Sequence, residues 1–207
     1  MRTVGRHNGR MHAIKEEIAA AAARLVVEEG LDFGSAKRKA LAQLDVPERS
    51  PLPDNDTLER AVEEYIAVFC AEEQALELRA LRLLAVRWMQ RLQAFRPFLA
   101  GAVWSGTATR RSDIYLQLFC EDSKMTEIEL INMDIRFNPR RVKGLLGKPV
   151  DALSVHAWSE ELGEDIGVHL MVYDQDDLRR APRLDTRGRP MRGDLRAVRA
   201  LLEGASA

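Results

Sequence analysis

Apolar residues recur every three to four positions over residues 13–29, at Ile14, Ile18, Ala21, Ala22, Leu25 and Val26, and Gly30 follows the last turn. A period of 3.6 puts these side chains on one stripe, so the pattern predicts an amphipathic helix that the glycine ends. A shorter helix is expected over 35–44, with Ser35 as its cap and Pro47 beyond its end. The stretch ERSPLPDND holds two prolines among turn-forming polar residues and reads as a linker. Asn55 or Asp56 then caps a helix to about Phe69. A longer helix is expected over 73–95, where Leu81, Leu84, Trp88, Leu92 and Phe95 form a stripe widened by Leu78, Ala85 and Met89, with Pro97 beyond it.

After Pro97 the period drops to 2. Strands are expected over 98–104 and 113–120, the second with Ile114, Leu116, Leu118 and Cys120 on one face and Asp113, Tyr115, Gln117 and Phe119 on the other. Ser123 caps a short helix to about Asn132, and 134–137 is expected as a brief edge strand. Two further strands, 152–159 and 167–173, are joined through the turn-rich ELGEDI as a hairpin, and a final helix covers 194–202. The fold class is therefore α+β, a helical N-terminal part followed by a small mixed sheet with flanking helices. The expected organisation is an unstructured basic start over 1–12, a helical hairpin over 13–46, a linker over 47–55, an α/β core with its leading helices over 56–177, and a basic C-terminal segment over 178–207 ending in a helix.

Composition narrows the function classes. A chain of 207 residues with net charge −1 offers no whole-molecule case for nucleic-acid binding, so any such contact must come from a local patch. No apolar run reaches the roughly 18 residues of a membrane span. The start MRTVGRHNGRMH is basic but lacks the apolar stretch of a secretion signal, so a cytoplasmic, bacterial-type soluble protein is expected. Cys70 and Cys120 lie inside apolar runs and are expected as small buried hydrophobes, not as a disulfide or a zinc site.

The chemistry-bearing stretch is GTATRRSDIYLQLF, where a glycine turn feeds an acid-bearing strand. On Gly106, Thr107, Ala108, Ser112, Asp113, Ile114 and Leu116 it resembles the DNA polymerase beta-type nucleotidyltransferase superfamily, whose signature is a glycine-serine turn, a short loop often containing Gly-Thr, and Asp-x-Asp on a strand. The likeness covers residues 91–173. The glycine-serine turn of the family falls on Gly101-Ala102 or, with a shortened loop, on Gly106-Thr107, and neither register supplies the serine. The resemblance implies a nucleotidyltransferase-type sheet and magnesium chemistry at paired acids.

Such sites use divalent ions to neutralise a phosphate in transit and to clamp the attacking and leaving oxygens. Magnesium wants hard oxygen ligands in an octahedron, and carboxylates two apart on a strand share a face and hold the ions together. Here the second acid is replaced by Tyr115, a phenol that stays neutral at pH 7 and ligates magnesium poorly. The third acid of the family comes from the next core strand, which reads DALSVHAWS and offers only Asp151 at its start. A degenerate, non-catalytic site is expected, with no cofactor. Gly106, Thr107, Arg110, Arg111, Ser112 and Asp113 are the expected ligand-binding residues, backbone amides and arginines meeting a phosphate-bearing ligand; a protein partner is the other candidate. Asp113 itself is expected to order the preceding turn. The enzyme alternative keeps Asp113 as a catalytic, magnesium-binding acid with Glu121 or Asp151.

His156 and His169, on neighbouring strands, lack a third ligand for a metal site. GLLGKP lacks the spacing of a phosphate loop. Arg136, Arg140, Arg141, Lys143 and Lys148 form a run without acids, residues 178–199 hold eight arginines against two aspartates, and 54–77 holds eight acids and one base. These patches are candidates for solvated faces, phosphate contacts or protein contacts, but no aromatic residues interleave them as nucleic-acid binding requires. Nucleic acid is left to the basic C-terminal segment, or to the front helices, which resemble those of tetracycline-repressor-type regulators and offer Lys37, Arg38 and Lys39 to a DNA backbone.

Overall fold

A computed structural model of the chain describes residues 4–44, 46–47 and 49–204. Residues 1–3 of the start, Asp45 at the end of the expected hairpin, Glu48 within the linker, and 205–207 at the end of the basic segment lie outside the described residues. The chain forms two compact units, Met1–Gln74 and Ala75–Ala207.

The first unit holds α1 (Val4–Glu29), α2 (Phe33–Gln43) and α3 (Asn55–Phe69). Helix α1 begins at Val4, inside the stretch for which no structure was expected, and stops where Gly30 takes a φ of +69°. The caps differ from expectation. Asp32, not Ser35, caps α2 by accepting from the Ser35 N–H, and Asp54 caps α3 by accepting from the Thr57 N–H. A short carboxylate three residues ahead reaches these amides better than the residues inside the helix. Ile18, Ala22 and Leu25 of α1 bury against Ala36 and Ala40 of α2 and Leu58, Val62 and Ile66 of α3. Because α3 spends its apolar stripe on α1, it belongs to this unit, and the boundary falls at Gln74 instead of in the linker 47–55.

The second unit carries the sheet. Most of α4 (Ala71–Arg91) lies here and is followed by a 3-10 turn, Gln93–Phe95; then come β1 (Phe98–Ala100), α5 (Gly101–Ser105), β2 (Ile114–Cys120), α6 (Lys124–Asn132), β3 (Asn138–Lys143), β4 (Pro149–Ser159), β5 (Glu164–Asp174), α7 (Asp177–Arg180), β6 (Arg192–Gly193) and α8 (Leu195–Gly204). Among the described residues the strands form one mixed sheet in the order β3-β4-β5-β2-β1-β6, with β2 and β5 parallel and the other pairs antiparallel. The architecture is α+β. One face of the sheet buries Ile114, Leu116, Leu118, Leu153, Val155, Val168 and Leu170 against Leu81, Leu84, Trp88, Met89, Leu130 and Val198 from the helices.

The expected strand over 98–104 ends at Ala100, because Gly101 turns the chain at φ +69° into α5. The edge strand lies at Asn138–Lys143 and not at 134–137, where Asp134 adopts φ +55° after α6. Ser123 sits at the N-terminus of α6 without a side-chain capping bond. The β4–β5 hairpin forms as expected, and GLLGKP is the β3–β4 turn, closed by the Gly144 N–H donating to the Lys148 carbonyl. No helix among the described residues is long and apolar enough to cross a membrane.

Candidate functional site

The glycine turn is built from its backbone outward. Helix α5 is one short coil closed by Gly106 at φ +96°, a left-handed value that only glycine takes without strain. The N–H groups of Gly106 and Thr107 both donate to the Ala102 carbonyl, at 2.9 and 3.0 Å. The next turn is tied by the Thr109 N–H donating to Ser112 Oγ at 3.1 Å and the Ser112 N–H donating to the Thr109 carbonyl at 2.8 Å. Ser112, and not Asp113, therefore orders the loop before β2. The Arg110 N–H donates to Glu77 Oε2 at 2.9 Å, and its guanidinium donates to Glu164 Oε1 at 3.0 Å. Of the six residues expected to cradle a phosphate, the structure brings all into one loop, yet the Gly106, Thr107 and Ser112 amides close the loop itself and Arg110 ties it to Glu77 of α4 and Glu164 of β5. Arg111 is exposed.

Asp113 turns toward β5. Its carboxylate lies over the Gly167 backbone, where a Cβ would run into it, and Oδ2 meets His169 Nε2 at 2.9 Å. The other ring nitrogen, Nδ1, meets Ser154 Oγ of β4 at 2.8 Å. A carboxylate only accepts, so a neutral His169 carries its proton on Nε2 and donates to Asp113, while Nδ1 accepts the Ser154 hydroxyl. Parallel pairing of Ile114 with Val168 and antiparallel pairing of Ser154 with His169 create this chain across three strands. The His169 hydrogen bond, opposed by burial and aided by the Gly167 N–H, holds the Asp113 carboxyl below its usual range.

Tyr115 stands two residues on, its ring against Gly101, where a Cβ would sit 3.6 Å from ring carbon Cδ2. On its other side it meets the His169 ring with centroids 4.8 Å apart at 34°. Gln117, on the same face of β2, is 8% exposed, and its Oε1 has no hydrogen-bond partner among the described residues. Phe119 stacks on Tyr173 at 5.3 Å, and Arg192 of β6 lies over the Phe98 and Phe119 rings, both 5.8 Å to the centroid.

This donor set does not fit a pair of magnesium ions. Asp151 shares the opposite, apolar face of the sheet with Leu153 and pairs with Arg141 at 3.4 Å. Glu121 lies eight residues beyond Asp113, about 26 Å away at the rise of a strand. The strand beside β2 is β5, not β4, and it presents Gly167 and His169 to the Asp113–Tyr115 pair. Among the described residues no group of three or more His, Cys, Asp or Glu is placed to hold a metal ion.

The remaining sequence candidates have settled places. His156 is exposed on the Asp113 face, cross-strand from Gly167. Lys37 is buried, donates to Asn55 Oδ1 at 2.7 Å, and has its pKa lowered by that burial. Lys39 is ion-paired with Glu29, and Arg38 donates to Ser35 Oγ at 3.2 Å. The front-helix cations are thus engaged within the unit. In the C-terminal segment Arg189 pairs with Asp185 at 2.8 Å and Arg192 donates to the Pro182 carbonyl at 2.9 Å. Cys70 and Cys120 are half-buried thiols, and burial pushes that of Cys120 up.

His169, Ser154 and Gly167 were not expected around Asp113. The visible signal was polar residues alternating with apolar ones in both hairpin strands, but their meeting with Asp113 depends on β5 lying beside β2. No protein-family model and no curated protein matches the chain. Among solved structures it is similar to the Cid1 poly(U) polymerase described with MgGTP bound, at 11% identity and a TM-score of 0.33, over 46% of this chain and 32% of that one.

Proposed function

We propose that this chain is a nucleotidyltransferase-like protein without nucleotidyl transfer, whose Asp113 face has a regulatory or binding role toward a phosphate-bearing ligand or a protein partner. The observation that carries the reading is Tyr115. Its neutral ring fills the space between Gly101 and His169, where the motif calls for a second carboxylate. The single acid left on that stretch, Asp113, already accepts from His169 and Gly167. Magnesium there would compete with both donors for a single carboxylate and would lack the second acid that a paired-ion site uses.

Isothermal titration with magnesium and each nucleoside triphosphate tests this, together with an assay for nucleotide transfer. The expected outcome is no magnesium-dependent binding and no transfer. Tight, magnesium-dependent binding that Asp113→Asn abolishes would restore the enzyme alternative.

A further inference from the structure

We propose that the open face of the sheet docks a single-stranded nucleic acid, its bases stacking on Trp158 and His156 and its phosphates running beside Arg136 and Arg140. The proposal rests on reading the Asp113 face as a binding surface, and it holds whether or not Asp113 retains chemistry.

The rings come first. Trp158 is 59% exposed and Tyr115 42%, although both are large and stand on strands of the sheet. Pairing of Ser154 with His169 and of His169 with Tyr115 places His156, Trp158 and Tyr115 on one face. His156 and Trp158, two apart on β4, are spaced about 7 Å along the strand, and Tyr115, two strands across and about 10 Å to the side, borders them by its exposed edge, its ring lying between Gly101 and His169. Exposed rings spread over a sheet surface are what splayed bases use, since every base has a face to stack.

Charge selects the ligand. The run Arg136–Lys148 carries five cations and no acid, and it folds as β3 and its flanks, directly beside β4. Arg140 pairs with Ala152 and so shares the face of His156, while Arg136 lies just before the strand at its His156 end. Arg111 is exposed on the far side, ahead of β2. Nearby acids are largely engaged: Glu161 with Arg87, Glu164 with Arg110, Asp113 with His169. Asp165, opposite Trp158, limits the platform at that end. An acidic peptide would use the arginines without the rings, and an uncharged sugar the rings without the arginines. A single strand uses both.

The interleaving of aromatic and basic residues is absent along the chain and arises only when β3 pairs with β4. The full chain is titrated into labelled oligo(U), oligo(A) and single-stranded DNA in EDTA without triphosphate, so the result is separate from magnesium-dependent nucleotide binding. Saturable binding is expected, with quenching of tryptophan fluorescence. Trp158→Ala should weaken it about tenfold and remove most of the quenching, and His156→Ala should act in the same direction. Arg140→Ala should lower the slope of log affinity against log salt by about 0.7. These side chains are exposed, so the variants keep the core intact. Lack of binding at about 100 μM protein in low salt would overturn the proposal. So would affinity that Trp158→Ala and His156→Ala leave unchanged, or equal affinity for an acidic peptide.

Discussion

The two faces of the one sheet are made from alternate residues of the same strands, yet they have opposite characters. Ile114, Leu116 and Leu118 lie fully buried in a dry layer beneath the helices. Asp113, Tyr115 and Gln117, their immediate neighbours, face a surface of hydrogen bonds, stacked rings and one orphaned carbonyl. The first face holds the fold together by apolar area removed from water. The second keeps its polar groups in a fixed layout through hydrogen bonds and ring contacts, at small energetic gain.

That contrast is sharpest at Leu116. Leu116→Ala should cost about 2–5 kcal/mol in urea unfolding, because a cavity opens in the closed layer. Tyr115→Ala, one residue away, should cost under about 1 kcal/mol; equal losses would erase the distinction. Gly167→Ala breaks the open face from within. Its new methyl collides with the Asp113 carboxylate and should cost about 1–3 kcal/mol, most of it recovered when Asp113→Ala is added. A double variant that recovers nothing would mean the glycine serves some other contact.

Gln117→Leu should be neutral or stabilise by up to about 1 kcal/mol, since it removes a buried acceptor without a partner among the described residues. A clear loss would reveal a bound group on Oε1. The smallest effect belongs to Asp113→Asn, read as stability against pH. The folded carboxyl lies below its ordinary value, so its contribution is present above the unfolded value of about 4 and disappears as pH falls through the folded one. The side chain is half exposed, which limits the contribution to about 1 kcal/mol at most. The gap between wild type and variant should close on acidification; a gap that widened would reverse the assignment.

Much of the frame was legible because burial leaves a period. The stripe from Leu81 to Leu92 and the alternation of 113–120, 152–159 and 167–173 were each forced by a face that had to be dry. The edge strand β3 escaped because NPRRVK is largely exposed and carries no alternation to read. Helix α5 escaped because the apolar Ala102-Val103-Trp104 mimics a strand, and only the left-handed turn at Gly101 reveals the break. At the site, the Asp113–Tyr115 pair was readable from its spacing. The partners His169 and Ser154 were not, since His169 reaches Asp113 through the parallel pairing of Ile114 with Val168, far apart in the chain, and Ser154 joins only through His169.

Trp104 has a further consequence. Its indole lies where a Cβ on Gly193 would be, and its Nε1 donates to the Pro190 carbonyl at 2.6 Å. The two-residue strand β6 therefore depends on a ring standing in for the side chain that residue 193 lacks. Any larger residue there would eject the indole and release the chain around Pro190 from its mooring. Proteases that cut after arginine would then find the Arg187–Gly188 bond first, while Pro190 shields the bond after Arg189, and a cut there would part β6 and α8 from the chain that precedes them.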